Sequence, residues 1–178
     1  MSGMHEIIDK ATLGGGCFWC MGSPFEKLDG VKTVIAGYMG GYKENPTYEE
    51  VYTDTTGHVE VVQVTFDCAK ISYEQILDNY WRQIDPTDAG GQFIDRGSRY
   101  RPVIFYHSLM QKELAEKSKH ELEETGIYGK PIAVAIDKAS EFWPAEDYHQ
   151  RYHVTHPAEY KKERKESGRD DFLDKVWE

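Results

Sequence analysis

The sequence predicts an α+β fold: a two-layer, ferredoxin-like sandwich with a mixed sheet and a long, mostly irregular C-terminal tail. Segments rich in β-branched residues alternate with segments whose apolar residues recur at helical spacing, in the order strand, helix, strand, strand, helix, strand, helix, strand. The first six elements match the split β-α-β arrangement. With 178 residues, 39% of them hydrophobic, and no repeat or linker, the chain is expected to form a single domain over residues 1–178.

The first half of the chain places a helix directly after a glycine-rich turn. Lys10–Leu13 is predicted as a short strand that runs into Gly14–Gly16. From Cys17 onward, apolar residues recur at helical spacing until Gly30, which ends this helix. The next segments are predicted as a strand, a loop and a strand: Val31–Tyr38, Met39–Thr47 and His58–Asp67.

The second half continues the alternation of helix and strand. Its predicted elements are a helix over Tyr73–Ile84, a loop over Asp85–Arg99, a strand over Pro102–His107, a helix over Leu109–Thr125 and a strand over Pro131–Asp137. Pro86 ends the first of these helices, because a residue before proline disfavours the helical conformation. Gly126 is placed to end the second. After Phe142 we expect short helical stretches at most, wrapped over the surface.

Net charge and hydropathy exclude several classes of protein. The formal net charge of −10 repels phosphate backbones, so nucleic acid is not an expected partner. The one basic cluster, Lys161–Lys165, is interrupted by Glu163 and is typical of a solvated helix face. No run approaches the roughly 18 apolar residues that span a bilayer, and Met1–Lys10 lacks the apolar core of a signal peptide. We therefore expect a cytoplasmic protein with no membrane partner.

Thiol chemistry is indicated by the three cysteines, an odd number that argues against a structural disulfide framework. Cys17 stands at the predicted strand-to-helix junction. Free amide N–H groups and the helix dipole are expected to stabilise a thiolate there and to lower the pKa of Cys17. Cys17 and Cys20 share one helix face, close enough for a disulfide. Taken alone, the Cys-x-x-Cys pattern indicates a redox pair, half of a zinc site or two core residues.

Metal binding lacks the ligands that it needs in this sequence. A zinc site would require two further ligands beside Cys17 and Cys20, and there is no second Cys-x-x-Cys motif. His149 and His153 are spaced as i and i+4, but without the glutamate of a His-Glu-x-x-His pattern. We therefore expect no metal and no other cofactor.

Glu60 is expected to lie on the buried face of a predicted strand. Alternate residues of the predicted strand His58–Asp67 point to one face, which places Glu60 with Val62 and Val64. A carboxyl group in apolar surroundings has a raised pKa and stays protonated at neutral pH. The alternative is a solvated glutamate at the start of a strand.

The segment Gly16-Cys17-Phe18-Trp19-Cys20 resembles the signature of the A-type peptide methionine sulfoxide reductases, in the variant with a second cysteine. Further segments resemble this family in the family's own order: Gly37–Tyr42, Asn45–Val51, Thr56–Val62, Asp85–Thr87, Asp95–Arg101 and Ala145–Gln150. The similarity extends from Ala11 to Tyr160. It implies a two-layer α+β fold and an enzyme that reduces methionine S-sulfoxide, free and in proteins, to methionine.

The resemblance also implies roles for individual residues. Cys17 attacks the sulfoxide sulfur, and Glu60 supplies the proton for the oxygen. The other implied roles are hydrogen bonds to the sulfoxide oxygen from Tyr48 and Tyr100, organisation of hydrogen bonding near the nucleophile by Asp95, and a pocket for the S-methyl group from Phe18 and Trp19. The resulting Cys17 sulfenic acid condenses with a second thiol, and an external dithiol, thioredoxin, reduces the disulfide.

The second thiol is either Cys20 or Cys68. Cys20 lies one helical turn from Cys17, so closure of a disulfide needs little rearrangement. Eight residues of extended chain, at roughly 3.3 Å each, place Cys68 on the order of 25 Å from Glu60. A disulfide needs its Cα atoms within about 7 Å. We therefore expect Cys20 to be the recycling residue and Cys68 to be idle.

Two other functions are compatible with a Cys-x-x-Cys motif. One is a general thiol-disulfide oxidoreductase of thioredoxin type, and the other is a redox-sensing or metal-dependent interaction module. The order of elements and the bulky Phe18–Trp19 spacer disfavour the first. Both alternatives can be tested by comparing the reduction of a peptide methionine sulfoxide with the reduction of insulin disulfides. Turnover of the sulfoxide alone would indicate a methionine sulfoxide reductase.

Overall fold

Strands and helices alternate along residues 7–177, which are the part of the chain that the computed structural model describes. The strands are β1 (Ile8–Gly14), β2 (Val31–Met39), β3 (Val59–Asp67), β4 (Gly91–Gln92), β5 (Asp95–Arg96), β6 (Val103–Tyr106), β7 (Ala135–Lys138) and β8 (Trp143–Pro144). The helices are α1 (Phe18–Glu26), α2 (Tyr48–Tyr52), α3 (Tyr73–Trp81), α4 (Leu109–Thr125), α5 (Tyr152–Thr155), α6 (Pro157–Ser167) and α7 (Arg169–Val176). The signal-peptide prediction concerns Met1–Lys10, of which residues 1–6 lie outside the described part.

The main sheet has the strand order β7-β6-β1-β3-β2-β8, and β4 pairs with β5 in a separate two-stranded sheet. Strands β6 and β7 are parallel and the other neighbours are antiparallel, which confirms the predicted α+β fold with a mixed sheet. Leu13 of β1 lies opposite Val62 of β3, and Tyr38 of β2 lies opposite Glu60. The end of β1 that leads to Cys17 therefore lies beside the start of β3, where Glu60 stands.

The larger part of the core lies between the sheet and helices α1, α3 and α4. Val62 and Val64 of β3 are fully buried in it. The opposite face of the sheet buries a smaller cluster that includes Val59 and Val61. Because side chains alternate along a strand, Glu60 belongs to the helix-covered face together with Val62, as the sequence predicts.

The starts and ends of the long helices follow local sequence signals. Ser72 and Gln75 form a capping box at the start of α3, with N–H···O distances of 3.1 and 2.9 Å. The Ser108 hydroxyl accepts from the N–H of Gln111 at the start of α4. Gly126, at φ +67°, ends α4 in the left-handed conformation, which confirms its predicted place.

Helix α2 was not predicted from the sequence. It begins directly after the loop Met39–Thr47, and a second capping box starts it. The Thr47 hydroxyl accepts from the N–H of Glu50 at 3.2 Å, and the Glu50 carboxylate accepts from the N–H of Thr47 at 3.0 Å. The Thr-x-x-Glu spacing was therefore the signal for this short helix.

The strand predicted over Pro131–Asp137 is wrong in its first half. Strand β7 covers only Ala135–Lys138. Ile132 and Val134 are nevertheless buried, because the segment before β7 packs its apolar side chains into the core without pairing in the sheet. Instead of pairing with a strand, the N–H of Ala133 donates to the carbonyl of Pro86.

The prediction of a mostly irregular C-terminal tail is wrong, since α5, α6 and α7 occupy most of residues 152–176. Helix α6 begins with Pro157, whose fixed φ suits the first helical position, and ends at Gly168 with φ +84°. Polar side chains such as Arg164 attach α6 to the protein, so no apolar stripe could reveal this helix. Helix α7 also makes aromatic contacts, between Phe172 and the rings of Phe93 and Tyr128. None of the helices within residues 7–177 is long and apolar enough to cross a membrane.

Candidate active site

The candidate site is centred on the turn between β1 and α1. Gly16 has φ +91°, a conformation that favours glycine, and a Cβ atom on Gly15 would come within 2.7 Å of the Ile84 side chain. The turn therefore needs glycine for both conformation and space. It leaves Cys17 half-buried at the N-cap of α1, and Cys20 is buried one turn further on. The N–H of Cys20 donates to the carbonyl of Cys17 at 3.1 Å.

The two thiols of this turn form a hydrogen-bonded pair. Hydrogen bonding to Cys20, burial and the negative potential of Glu60 raise the pKa of Cys17 well above its ordinary value. The same hydrogen bond, together with the positive charges of Arg169 and Arg164, lowers the pKa of Cys20 to about 7. The predicted lowering of the Cys17 pKa is therefore wrong. The first proton leaves the pair near neutral pH, and the negative charge that results is held at Cys20.

Glu60 lies behind the start of α1 and is only 1% exposed. Its Oε1 accepts from the N–H of Phe18, the residue after Cys17, at 3.3 Å. Its Oε2 is buried without a hydrogen-bond partner among the described residues. Burial raises the pKa of Glu60 to about 8, although the Phe18 N–H opposes the shift. The carboxyl group is therefore protonated at neutral pH, as the sequence predicts.

Two phenol groups share the electrostatic environment of Glu60 and Cys17. Tyr48 is half-buried at the start of α2, and Tyr100 is buried in a 3₁₀ turn over Ser98–Tyr100. Burial is the main cause of the raised pKa of both phenols, and the charges of Glu60 and Cys17 add to it. Both tyrosines are therefore neutral and can donate hydrogen bonds near Cys17. Helix α2 and the 3₁₀ turn bring them there from distant parts of the chain.

Asp95 stands on β5, within the segment that was predicted as a loop. It is half-buried, and burial raises the pKa of its carboxyl group while the charges of Arg169 and Arg99 lower it. Its negative potential reaches both Cys17 and Cys20. Asp95 is thus an electrostatic neighbour of the thiol pair.

Phe18 and Trp19 form an aromatic group with His149, which sequence reasoning considered only as a metal ligand. His149 is 1% exposed, and its ring lies 5.0 Å from that of Phe18 and 4.5 Å from that of Tyr48. The indole N–H of Trp19 donates to Nδ1 of His149 at 3.0 Å, and the Trp19 ring stacks on Tyr152 at 3.9 Å. These contacts fix the plane of the Trp19 ring.

Two more residues of the site were missed from the sequence, Tyr38 and Glu146. The Tyr38 hydroxyl donates to Oε1 of Glu146 at 2.9 Å, and the N–H of Tyr48 donates to its Oε2 at 3.0 Å. Glu146 thereby links the strand partner of Glu60 to the start of α2. Its place in the segment Ala145–Gln150, which the sequence resemblance included, was the only signal for it.

His149 and His153 do not converge on a common site. Nδ1 of His149 accepts from Trp19, while Nε2 of His153 lies 3.4 Å from the Glu26 carboxylate. No cluster of three or more potential metal ligands occurs among residues 7–177.

For the sulfoxide substrate that the sequence resemblance implies, substitution of His149 by phenylalanine is expected to raise the KM about tenfold. The aromatic volume is kept, but the Trp19 N–H loses its acceptor, and an unsatisfied buried donor costs about 1–3 kcal/mol. Steady-state kinetics would measure this change in KM against kcat. The control is His153→Phe, which alters a neighbouring histidine bonded to Glu26. Equal KM values for wild type and His149→Phe would contradict the inferred orientation of Trp19.

A half-buried and a buried thiol at a helix start, beside a protonated carboxyl group, are typical of a thiol-dependent oxidoreductase. The family model described as peptide methionine sulfoxide reductase matches residues 9–178. The chain therefore belongs to this family, in its A type, and it is an oxidoreductase that reduces methionine sulfoxide with a thiol. The resemblance stated from the sequence motifs is confirmed.

Known relatives support the same conclusion over nearly the whole chain. "Peptide methionine sulfoxide reductase MsrA" of Bacillus licheniformis is 55% identical, with 98% of this chain and 96% of that protein covered. The crystal structure of reduced Mxr1 from Saccharomyces cerevisiae is similar with a TM-score of 0.81 and 28% identity, covering 89% of this chain and 90% of that one. Mxr1 in complex with Trx2 shares the fold, with a TM-score of 0.59 and 22% identity over 85% and 88% of the two chains.

Proposed function

We propose that this enzyme reduces the S epimer of methionine sulfoxide, free and in proteins, with Cys17 as the nucleophile and Glu60 as the proton donor. The observation that carries the proposal is the state of Glu60. Its pKa of about 8 keeps a proton on the carboxyl group at neutral pH, and its Oε2 has no competing partner among the described residues. Its Oε1 is tied to the residue next to Cys17.

The thiol pair supplies the nucleophile in this mechanism. When the pair has lost one proton, the Cys17 proton passes to Cys20 through the hydrogen bond between them. The Cys17 thiolate attacks the sulfoxide sulfur while Glu60 protonates the oxygen. The hydroxyl group then passes from the substrate sulfur to the sulfur of Cys17. A Cys17 S–O bond forms, the substrate S–O bond and the bond between the two sulfurs break, and methionine leaves with Cys17 as a sulfenic acid.

The other predicted residues assist this step in the proposal. The neutral phenols of Tyr48 and Tyr100 hydrogen-bond the sulfoxide oxygen as negative charge develops on it. Asp95 organises hydrogen bonding around the thiol pair. Phe18 and Trp19 hold the S-methyl group, since aromatic rings make favourable contacts with methyl groups and polarised sulfur.

Recycling is proposed to proceed through a disulfide between Cys17 and Cys20. Sulfur of Cys20 attacks the Cys17 sulfenic acid, an S–S bond forms and water leaves. Cys20 is one turn from Cys17, whereas Cys68 is exposed one residue after β3, at the opposite end of the β1–β3 pair. The proposed reductant is the dithiol protein thioredoxin, and the complex of the relative Mxr1 with Trx2 supports such a partner.

Cys20→Ser is expected to complete one round of sulfoxide reduction and then to stop with thioredoxin as reductant. Cys68→Ser should turn over at the wild-type rate, because its thiol lies far from Cys17. The measurements are thioredoxin-dependent turnover of both variants and peptide mapping of the oxidised enzyme. A Cys17–Cys68 disulfide, or normal thioredoxin-driven cycling without Cys20, would show that Cys20 is not the recycling residue.

The substrate proposal is tested by comparing sulfoxides with disulfides. With dithiothreitol as reductant, the enzyme should consume the S epimer of a peptide methionine sulfoxide and of free methionine sulfoxide, and leave the R epimer unchanged. Insulin disulfides should not be reduced. Reduction of insulin at a comparable rate would favour a general thiol-disulfide oxidoreductase instead.

The finer fold and the location are also proposed. The order β6-β1-β3-β2, antiparallel throughout, supports a ferredoxin-like arrangement of these four strands. The match of one family model to residues 9–178 supports a single domain over residues 1–178. A cytoplasmic location is supported by the bacterial relatives and by three free thiols, which a reducing compartment preserves.

A further inference from the structure

Arg169, the first residue of α7, carries a positive charge into the interior of the protein. It is 1% exposed and lies directly behind the redox turn. Its Nη2 donates to the carbonyl of Gly15 at 3.0 Å and its Nη1 to the carbonyl of Gln83 at 2.6 Å. The guanidinium also lies 4.8 Å from the centre of the Phe93 ring. Arg169 therefore contacts the backbone that presents Cys17.

The charge of Arg169 has no carboxylate within ion-pair distance among the described residues. Its Nε is also buried without a partner in residues 7–177. A buried charge is costly unless it is paired and hydrogen-bonded, and such groups are almost never fully buried without a counter-ion. Neutral carbonyls satisfy two of its nitrogens but do not neutralise its charge.

The Cys20 thiol can become an anion on this side of the turn, and Nη1 of Arg169 lies 3.9 Å from Sδ of the next residue, Met21. The charge of Arg169 also acts on Asp95, but no ion pair joins the two among residues 7–177. The positive potential of Arg169 lowers the pKa of Cys20, and Arg164 adds to it while its Nη1 donates to the Cys20 carbonyl at 3.0 Å. The other groups whose charges interact with Cys20 are Cys17, Asp95, Glu60 and Tyr160. Arg164 already pairs with Asp170 at 2.8 Å, so Arg169 is the cation without a carboxylate partner of its own.

We propose that Arg169 is a positioning residue that acts as the buried counter-ion of the Cys20 thiolate when the Cys17–Cys20 disulfide is reduced. The inference rests on the proposed recycling through Cys20. An external dithiol attacks the half-buried Cys17 sulfur, because the Cys20 sulfur is covered. A mixed disulfide with Cys17 forms, the Cys17–Cys20 bond breaks, and its electron pair leaves on Cys20 as a thiolate. The second thiolate of the dithiol then releases Cys17, so the dithiol is oxidised and the enzyme is reduced.

A leaving thiol departs faster when its pKa is low, so loss of the Arg169 charge should slow this step. Arg169→Met, made in a Cys68→Ser background, is expected to raise the lowest thiol pKa by about one unit. Reduction of its disulfide by dithiothreitol near neutral pH should slow by about three- to tenfold. At a pH about one unit above the raised pKa, where the pair has lost its first proton in both proteins, single-turnover reduction of a peptide sulfoxide by the reduced enzyme should change far less. Thiolate absorbance in the ultraviolet against pH gives the pKa, and stopped-flow kinetics give both rates.

Two further variants separate charge from packing. Arg169→Lys keeps the charge and should retain the wild-type thiol pKa within about half a unit. Arg82→Met removes the guanidinium that lies 4.2 Å from the Trp177 ring, so it loosens the same C-terminal segment without touching Cys20. It should leave the thiol pKa unchanged.

The outcomes are distinct from those that test the recycling residue. An unchanged thiol pKa and reduction rate in Arg169→Met, or losses in Arg169→Lys and Arg82→Met equal to those in Arg169→Met, would overturn the counter-ion role. If Arg169→Met does not fold, Arg169→Gln, which also lacks the charge but can still donate a hydrogen bond to a carbonyl, replaces it in the same pKa measurement. Absence of a Cys17–Cys20 peptide in the oxidised wild-type enzyme would instead overturn the proposed recycling.

Discussion

Cys17→Ser is expected to abolish sulfoxide reduction, lowering turnover by more than about 10³-fold. A serine hydroxyl stays protonated at neutral pH and is a far poorer nucleophile toward sulfur than a thiolate. The fold should survive, because the side chain of Cys17 makes no capping hydrogen bond at the start of α1 and is only half-buried. Dithiothreitol-driven turnover of a peptide sulfoxide is the measurement.

Cys68→Ser is the matched control for this variant, since it makes the same atomic change in an exposed cysteine at the far end of the sheet. It should keep the wild-type rate. Turnover of Cys17→Ser at even about a tenth of that rate would exclude Cys17 as the nucleophile, because removal of a true nucleophile costs several orders of magnitude.

Glu60→Gln is expected to slow the reductase step by about 10²–10⁴-fold, the usual range for general acid catalysis. Glutamine keeps the shape and can still accept from the N–H of Phe18, but it has no acidic proton to deliver. Single-turnover kinetics with the reduced enzyme measure this step without the recycling reactions. An unchanged single-turnover rate would remove Glu60 from the mechanism.

The pH dependence gives a second test of the acid. The pKa of Glu60 is raised to about 8, so the protonated, active form is present below this value and is lost as the pH rises through it. The thiol pair must lose one proton before it can react, and the pKa of Cys20 is about 7. The rate should therefore fall as the pH drops below this value. The wild-type rate should therefore pass through a maximum between these values.

Glu60→Gln should lose the decline on the alkaline side of this maximum. Glu146→Gln is the matched control, since Glu146 is a neighbouring carboxylate whose pKa is lowered, with hydrogen bonds from Tyr38 and Tyr48 among the causes. It is already an anion at neutral pH and should leave the alkaline decline in place. A decline that persists in Glu60→Gln would assign it to another group.

Burial of Glu60 also has a consequence for stability. Because its folded-state pKa lies above the ordinary value, the folded protein holds the proton more tightly than the unfolded chain does. Its contribution to stability is complete below the ordinary pKa of glutamate and is lost as the pH rises through about 8. This sign is the reverse of that for Glu146, whose pKa is lowered.

The sequence was sufficient to predict elements that follow a regular apolar pattern. Strand β3 and helix α4 were predicted almost to their ends. The alternation of residues in β3, and the helical spacing and terminal glycine of α4, are signals that lie within the element itself. The burial of Glu60 followed from the same alternation, since one register determines the face of every residue in a strand. Helix α2 could also have been found, from the capping-box spacing of Thr47 and Glu50.

Other features depend on contacts that no local pattern contains. Arg164 lies in a basic cluster that is typical of a solvated helix face, yet its guanidinium reaches the Cys20 carbonyl. Nothing in the polar segment around His149 indicates that it contacts Trp19, which lies 130 positions earlier in the chain. The helix start was expected to lower the pKa of Cys17. Its neighbours Cys20 and Glu60 raise this pKa instead, and the sequence did not show their effect. Such effects require knowledge of which residues meet.

The bond between Arg169 and the carbonyl of Gly15 joins positions 154 residues apart. During synthesis the redox turn therefore emerges 154 residues before the side chain that supports it from behind. The cysteines acquire their final environment only when α7 docks. A chain interrupted before α7 would contain the complete Gly-Cys-Phe-Trp-Cys motif and still lack the cation that lies behind it. Reactivity of the thiol pair thus reports completion of the fold.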